Sequence, residues 1–209
     1  EIPQSGLKHR KACLISDLEA VMRIVRFRHE KGGPPTWGWI AGERIVVIDG
    51  TPFDEFRREE ALLSYETAEI LPPVQPRKIV CVGRNYTAHA VEHDADVPEL
   101  PFIYLKPPTT VIVPDQPVLL PPQSKQVEHE AELAVVIGRQ GRLIAPEEVG
   151  DHILGFVPAI VVTARDLQYR DGQWTRGKSF DTFCPIGPWI ETDFDPADAL
   201  ITCSVNGQL

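Results

Sequence analysis

Val127-Glu-His-Glu-Ala-Glu-Leu-Ala-Val-Val-Ile137 is the stretch on which the reading of this chain turns. In an extended strand, residues i, i+2 and i+4 face the same way, so Glu128, Glu130 and Glu132 line one face. Leu133 to Ile137 is continuously apolar, which marks a strand whose end enters a core. Neighbouring carboxylates raise one another's pKa unless a cation neutralises them. Carboxylates at the mouth of a buried strand suit an oxygen-preferring ion such as Mg²⁺ or Mn²⁺. The plainer alternative is a solvated strand end with its charges splayed into water, and spacing alone does not choose between the two.

Further strands lie on either side. Lys78 to Val82 reads as a strand, followed by a Gly83-Arg84-Asn85-Tyr86 turn and a helix from Thr87. Pro98 to Pro122 is proline-rich and extended, Pro146 to Leu154 reads as a short helix, Phe156 to Val162 as a strand, and the rest as loop-rich β. Towards the N-terminus, MRIVRFR, TWGWI and RIVVIDG within residues 22–50 are short β-like runs, and residues 53–69 are the best helix candidate there. Leu71-Pro-Pro-Val-Gln-Pro76 reads as a linker. The expected division is an extension over residues 1–21, ahead of the sole methionine Met22, a small β-rich domain over 22–72, and a main domain over 77–209. Ala199 to Val205 reads as a strand and Asn206-Gly207 as a hairpin turn with no return strand, so the domain is expected to be C-terminally incomplete. Strands outnumber helices without regular βαβ alternation, which makes the fold class α+β, mostly β.

Composition excludes several functions. The 209 residues carry 30 acidic against 21 basic side chains, a net charge of −9, and no basic run, which disfavours nucleic acid as a partner. No apolar stretch approaches the roughly 18 residues of a membrane span. Cys13, Cys81, Cys184 and Cys203 are far apart and form no CxxC pair, as expected of thiols in a reducing compartment. With no secretory pattern in residues 1–21, the expected location is cytoplasmic. Twenty prolines argue against long helices and for shaped loops.

Two motif matches lack the context their chemistry needs. Gly172-Gln-Trp-Thr-Arg-Gly-Lys-Ser179 fits GxxxxGK[ST], but a polar segment precedes it where a P-loop requires a strand, and Pro185 and Pro188 follow closely. His89-Ala-Val-Glu-His93 fits HxxEH, which on a helix could hold zinc. Here the helix has barely two turns before Asp94 to Pro98, and a polar surface helix with two ordinary histidines explains it as well.

Taken together, five stretches resemble the fumarylacetoacetate hydrolase family. They are Val82-Gly-Arg-Asn-Tyr-Thr-Ala-His89-Ala-Val-Glu92, Phe102 to Pro107, His129 to Gly138, Thr163-Ala-Arg-Asp166-Leu-Gln168, and Trp174 to Trp189, running on to Val205-Asn-Gly207. The resemblance is to bacterial members of the 2-hydroxyhepta-2,4-diene-1,7-dioate isomerase and acylpyruvate hydrolase kind. It implies a mixed β-roll, usually a homodimer, with a Mg²⁺ or Mn²⁺ site. Mapped residue by residue, it implies that Glu130 and Glu132 bind the metal. His89 and Glu92 then move a proton or activate water, and Lys178 holds the substrate's developing negative charge. Arg84 and Lys106 could hold a distal carboxylate or be plain surface charge, and Gln168 joins them as a substrate-binding candidate. The implied substrates are small 2-oxo, 1,3-diketo or 2-hydroxydienoate acids of aromatic-compound catabolism. They would be isomerised, decarboxylated or hydrolysed at a C–C bond through one shared enolate.

Two departures stand out. The family's third metal ligand is an Asp five residues before the Asp of the [ST]ARD element, and counting back from Asp166 gives Val161. Asp166 would face the other way along a strand, which leaves Glu128 as a stand-in. The family's later Thr-Gly-Thr-Pro element also has no counterpart here. These departures motivate a rival expectation, a degenerate, non-catalytic member that serves as a binding or structural subunit.

Overall fold

The computed structural model describes residues 22–86, 96 and 98–208. The expected helix at Thr87–Asp94, with His89, Glu92 and His93, and the expected extension over residues 1–21 lie outside them.

The acidic-to-apolar run forms the strand expected of it, β9 (Val127–Ile137), paired antiparallel along its length with β10 (Ile153–Ala164). Their connection contains a 3-10 turn over Pro146–His152, where the short helix was expected. Upstream lie β1 (Arg23–Arg28), β2 (Thr36–Ala41), β3 (Arg44–Asp49), β4 (Arg57–Ser64), β5 (Glu69–Leu71), β6 (Ile79–Gly83), β7 (Phe102–Lys106) and β8 (Val111–Ile112). Downstream come two short helices, α1 (Arg165–Asp171) and α2 (Trp174–Lys178), then β11 (Cys184–Pro185) and β12 (Ile190–Glu191). The main sheet runs β4-β3-β2-β1-β12-β10-β9, with β5 also paired to β1. β6 and β7 form an antiparallel ribbon, and β8 and β11 a parallel pair. The fold is mostly β, as expected.

The strands of residues 22–72 do not form a separate sheet. Arg23 and Ile24 of β1 pair with Glu191 and Ile190 of β12, which pairs in turn with β10. Ile24 shares a core with Val136, Val157, Ala159, Cys184, Ile186 and Ile190. A second core, on Val25, Phe27, Ile45 and Val47, lies within the N-terminal strands.

Residues 53–69 are not helical. Arg57 to Ser64 pairs with β3 as an almost wholly exposed edge strand. Its Arg, Glu, Ala and Leu residues favour a helix, but the open edge of β3 supplies a backbone partner that overrides a propensity of tenths of a kcal/mol per residue. Four charged side chains at Arg57–Glu60 suit an edge that must not pair further. The strand expected over Ala199 to Val205 is not formed: Ala199 to Ser204 lie outside any strand and only Val205 makes a bridge. The Asn206-Gly207 turn does form, with φ of 52° and 79°, and Val205 bridges Gln208.

α1 and α2 fall where loop-rich β was expected, since helices of seven and five residues are too short to show a period of 3.6. They also dispose of the phosphate-loop match. Gly172 ends α1 in the left-handed conformation at φ 66°. Gly177 lies where a Cβ would come within 2.9 Å of the Gln168 backbone nitrogen and 3.0 Å of the Ala164 carbonyl. Both glycines serve helix termination and packing.

Candidate active site

The register of β9 against β10 builds the site. Glu128, Glu130 and Glu132 stand opposite Thr163, Val161 and Ala159. Cross-strand partners in an antiparallel pair share a face, so the three carboxylates look across at a hydroxyl, an isopropyl group and a methyl group. Further along the same face, Ala134, Val136, Val157 and Ala159 belong to the main core. One face is therefore acidic at one end and dry at the other.

The carboxylates are neutralised by the chain's own cations. The Lys178 ammonium donates to both Glu130 oxygens, at 2.9 Å to Oε1 and 2.8 Å to Oε2. Arg165 donates from Nη2 to Glu130 Oε1 at 2.8 Å, from Nε to Glu128 Oε2 at 2.8 Å, and from Nη1 to Gln168 Oε1 at 2.7 Å. The Thr163 hydroxyl adds a bond to Glu130 Oε1 at 3.1 Å. Lys178 is 2% exposed and Arg165 6%, so these pairs have little competition from water. Burial alone would push the Glu130 carboxyl up, but Lys178 and Arg165 outweigh it and hold it below the ordinary value. Burial pulls Lys178 down, opposed by Glu130. Burial also acts to lower Arg165, yet its bonds to Glu128 and Glu130 leave it raised.

These groups open on a cavity of about 210 Å³. Its wall takes Glu130 and Glu132 from β9, Arg84, Asn85 and Tyr86 from the turn after β6, Tyr104 from β7, Arg165 and Gln168 from α1, and Trp174 and Lys178 from α2. The Lys178 nitrogen lies 5.2 Å from the centre of the Tyr104 ring and 5.6 Å from that of Trp174, within cation–π range. Burial raises the Tyr104 phenol above its ordinary range, so it is a neutral hydrogen-bonding group at working pH. Arg84 holds φ 55°, an uncommon conformation for a residue with a side chain.

Of the residues singled out in the sequence, Glu130, Glu132, Lys178, Arg84 and Gln168 thus meet around one cavity. Lys106 does not line it. It is 1% exposed and its ammonium donates to the main-chain carbonyl of Lys178, supporting the end of α2 from below. Burial pulls Lys106 down to about 8. Glu128 turns to Arg165 and to Gln126, whose amide reaches it at 2.6 Å. Asp166 is no strand residue: it lies in the first turn of α1 and accepts from the Ser124 hydroxyl at 2.6 Å and the Lys125 amide at 3.1 Å. Arg165, Tyr104 and Trp174 were not anticipated as site residues. Arg165 had one signal, an arginine directly after the buried run Ala159–Ala164, where a charge needs carboxylate partners.

The donor set does not fit the three-carboxylate metal site that the resemblance implies. Val161, 6% exposed, stands directly opposite Glu130, and no residue of β10 on this face carries an anionic oxygen. Glu130 already accepts from two cations, Lys178 and Arg165, which a metal ion would have to displace or sit beside. Among the described residues, no three His, Cys, Asp or Glu side chains gather as a metal would need. Cys81, Cys184 and Cys203 are free thiols, and no described helix is long and apolar enough to cross a membrane.

A mixed β-roll with a charged cavity at the acid end of a long hairpin is the kind of protein the fold and site define. The family model for the fumarylacetoacetate (FAA) hydrolase C-terminal domain matches residues 78–209, and that for a Rv2993c-like N-terminal domain matches residues 22–73. The chain belongs to the fumarylacetoacetate hydrolase family. It is 50% identical over 136 residues to an uncharacterized protein of Methanocaldococcus jannaschii, covering 65% of this chain and 57% of that one. It is 44% identical over 217 residues to the mitochondrial oxaloacetate tautomerase of Homo sapiens, covering 90% of this chain and 69% of that enzyme. The crystal structure of 5-carboxymethyl-2-hydroxymuconate delta-isomerase from Mycobacterium smegmatis superposes with a TM-score of 0.81 at 38% identity, covering 90% of this chain and 73% of that one. The chain spans little more than half the length of the first curated relatives, 57% for the archaeal protein.

Proposed function

We propose that this chain is part of an enzyme that moves a proton at the carbon beside the carbonyl of a small 2-oxo or 2-hydroxydienoate acid. The carrying observation is a buried ammonium, Lys178, facing a cavity of about 210 Å³ together with Arg165, Glu130 and Glu132. The relatives include a tautomerase of oxaloacetate and a delta-isomerase of a 5-carboxymethyl-2-hydroxymuconate, which supports proton transfer on small acids of this kind.

In this reading a base takes the proton from the carbon next to the carbonyl, and the C–H electrons form the C=C bond as the carbonyl electrons move onto oxygen. Reprotonation at a different atom completes isomerisation. Fixed positive charge beside the forming oxyanion is worth more in a dry pocket than in water. Lys178 provides that charge, and the pair His89 and Glu92 is the proposed proton carrier. Arg84 and Gln168 orient the far end of the substrate. Decarboxylation or C–C hydrolysis of 1,3-diketo acids in aromatic catabolism would use the same enolate, and the homodimer and cytoplasmic setting belong to the same proposal.

The test is a panel of oxaloacetate, acylpyruvates and 2-hydroxydienoates, followed by ultraviolet absorbance of the enol. Conversion of at least one acid above the buffer rate, lost in His89→Ala, is expected. A folded chain that converts none of them contradicts the proposal. One observation favours a second reading: Val161 removes a family carboxylate, which suits a binding subunit. That reading predicts that the acids bind but do not turn over.

A further inference from the structure

We infer that this site holds the carboxylate end of its acid ligand on protein cations, Lys178 and Arg165, and does so without a divalent ion. The inference rests on the acid-binding reading above and concerns what supplies the positive charge.

The first argument is the register. The β10 residues that share the face of Glu128, Glu130 and Glu132 are Thr163, Val161 and Ala159, and all are buried. A divalent ion of the Mg²⁺ kind asks for about six oxygens in near-octahedral array. On this face β10 offers it no anionic one, and the group directly across from Glu130 is apolar.

The second argument is occupancy. Glu130 Oε1 accepts from Lys178, Arg165 and Thr163, and Oε2 accepts from Lys178. A divalent ion on Glu130 would have to sit beside a buried ammonium and a buried guanidinium, or displace them. Displacing Lys178 would leave an unpaired buried cation, which is among the costliest defects in a folded chain. Lys178 is held in place by Lys106, whose ammonium bonds to its carbonyl, and by the Tyr104 and Trp174 rings flanking its nitrogen.

The third argument is charge. Lys178 and Arg165 balance Glu128 and Glu130, forming a neutral four-membered network at the cavity wall. Arg84 and Glu132 add one further charge of each sign to the same wall, so the cations are held in a balanced array and recognition rests on where their N–H groups stand. A carboxylate entering the cavity meets fixed N–H donors on a planar guanidinium and an ammonium, the groups suited to carboxylate recognition. What the family obtains from an ion, this chain obtains from side chains already paired within the fold.

Two titrations of the chain as it stands test this. Oxalate, a dianion with two adjacent carboxylates, is titrated by calorimetry in EDTA and again with excess Mg²⁺. Mn²⁺ alone is titrated by electron paramagnetic resonance. The expected result is oxalate binding in EDTA, within about threefold of its affinity with Mg²⁺, and Mn²⁺ binding no tighter than about millimolar. Val161→Asp is expected to tighten Mn²⁺ by about tenfold or more. Lys178→Arg keeps oxalate binding and Lys178→Met weakens it by about tenfold or more, as loss of a charge-assisted bond implies. Oxalate binding that appears only with Mg²⁺, or micromolar Mn²⁺ binding to the unsubstituted chain, would overturn the inference and leave the proposed function standing. No oxalate binding under either condition would overturn both.

Discussion

Arg165 commits three of its nitrogens to three different side chains, Glu128, Glu130 and Gln168, and is 6% exposed. Its loss leaves Glu130 with Lys178 as a remaining cation and Glu128 37% exposed, which puts the cost at the low end of the roughly 3–5 kcal/mol for breaking a buried ion pair. Arg165→Met should therefore lower the free energy of unfolding by about 3 kcal/mol in urea, while Arg84→Met, at an exposed turn, should change it by less than about 0.5 kcal/mol. Lys106 gives a prediction in pH. Burial takes it from 10.5 to about 8, so between those values the unfolded chain keeps a proton that the folded chain has released. Stability from this group then rises with pH across that window. Thermal melts from pH 8 to pH 10.5 should show the unsubstituted chain gaining on Lys106→Met; a constant difference would contradict the assignment. At this scale the sequence was informative about acids and silent about their partners. Three glutamates at spacing two announce a shared face, but that their cations come from Lys178 and Arg165 depends on the turn from β10 into α1 and α2, which no local pattern encodes.

Among the elements, the link between α1 and α2 controls the site. Gly177 packs against the Gln168 nitrogen and the Ala164 carbonyl, both backbone atoms that cannot swing aside. Gly177→Ala should cost about 1–3 kcal/mol through overpacking and, because Lys178 is the next residue, should weaken acid binding more than its stability loss alone explains. Calorimetry at a temperature where the variant is fully folded separates the two effects. The strand β9 was legible to the residue because its pattern is strong and its neighbours agree with it. The stretch 53–69 was misread because helix propensity is a local quantity, whereas the edge of β3 that captured Arg57 to Ser64 is a tertiary one. α1 and α2 were hidden by their brevity, and the phosphate-loop match drew attention to the right glycines for the wrong reason.

For the molecule as a whole, the decisive contact is β1 with β12. It carries the N-terminal strands into the sheet that holds the site and places Ile24, 3% exposed, in the core with Val157 and Ile190. The linker-like sequence at Leu71 to Pro76 marks a division near residue 72, and composition alone could not reveal that the main sheet runs across it. Ile24→Ala should destabilise by about 3 kcal/mol, in the range for emptying a buried aliphatic position. It should do so in one transition, seen identically by tryptophan fluorescence and far-ultraviolet circular dichroism. Two transitions, with the site unaffected by the first, would mean that the shared sheet does not couple the parts.

The most direct measurement is a crystal structure of the chain with oxalate, grown in the presence of EDTA. The account predicts a carboxylate of oxalate in the cavity within about 3 Å of the Lys178 nitrogen and of an Arg165 N–H. Oxalate bound elsewhere, or a cavity that fills only when a divalent ion bridges it to Glu130 and Glu132, would contradict it.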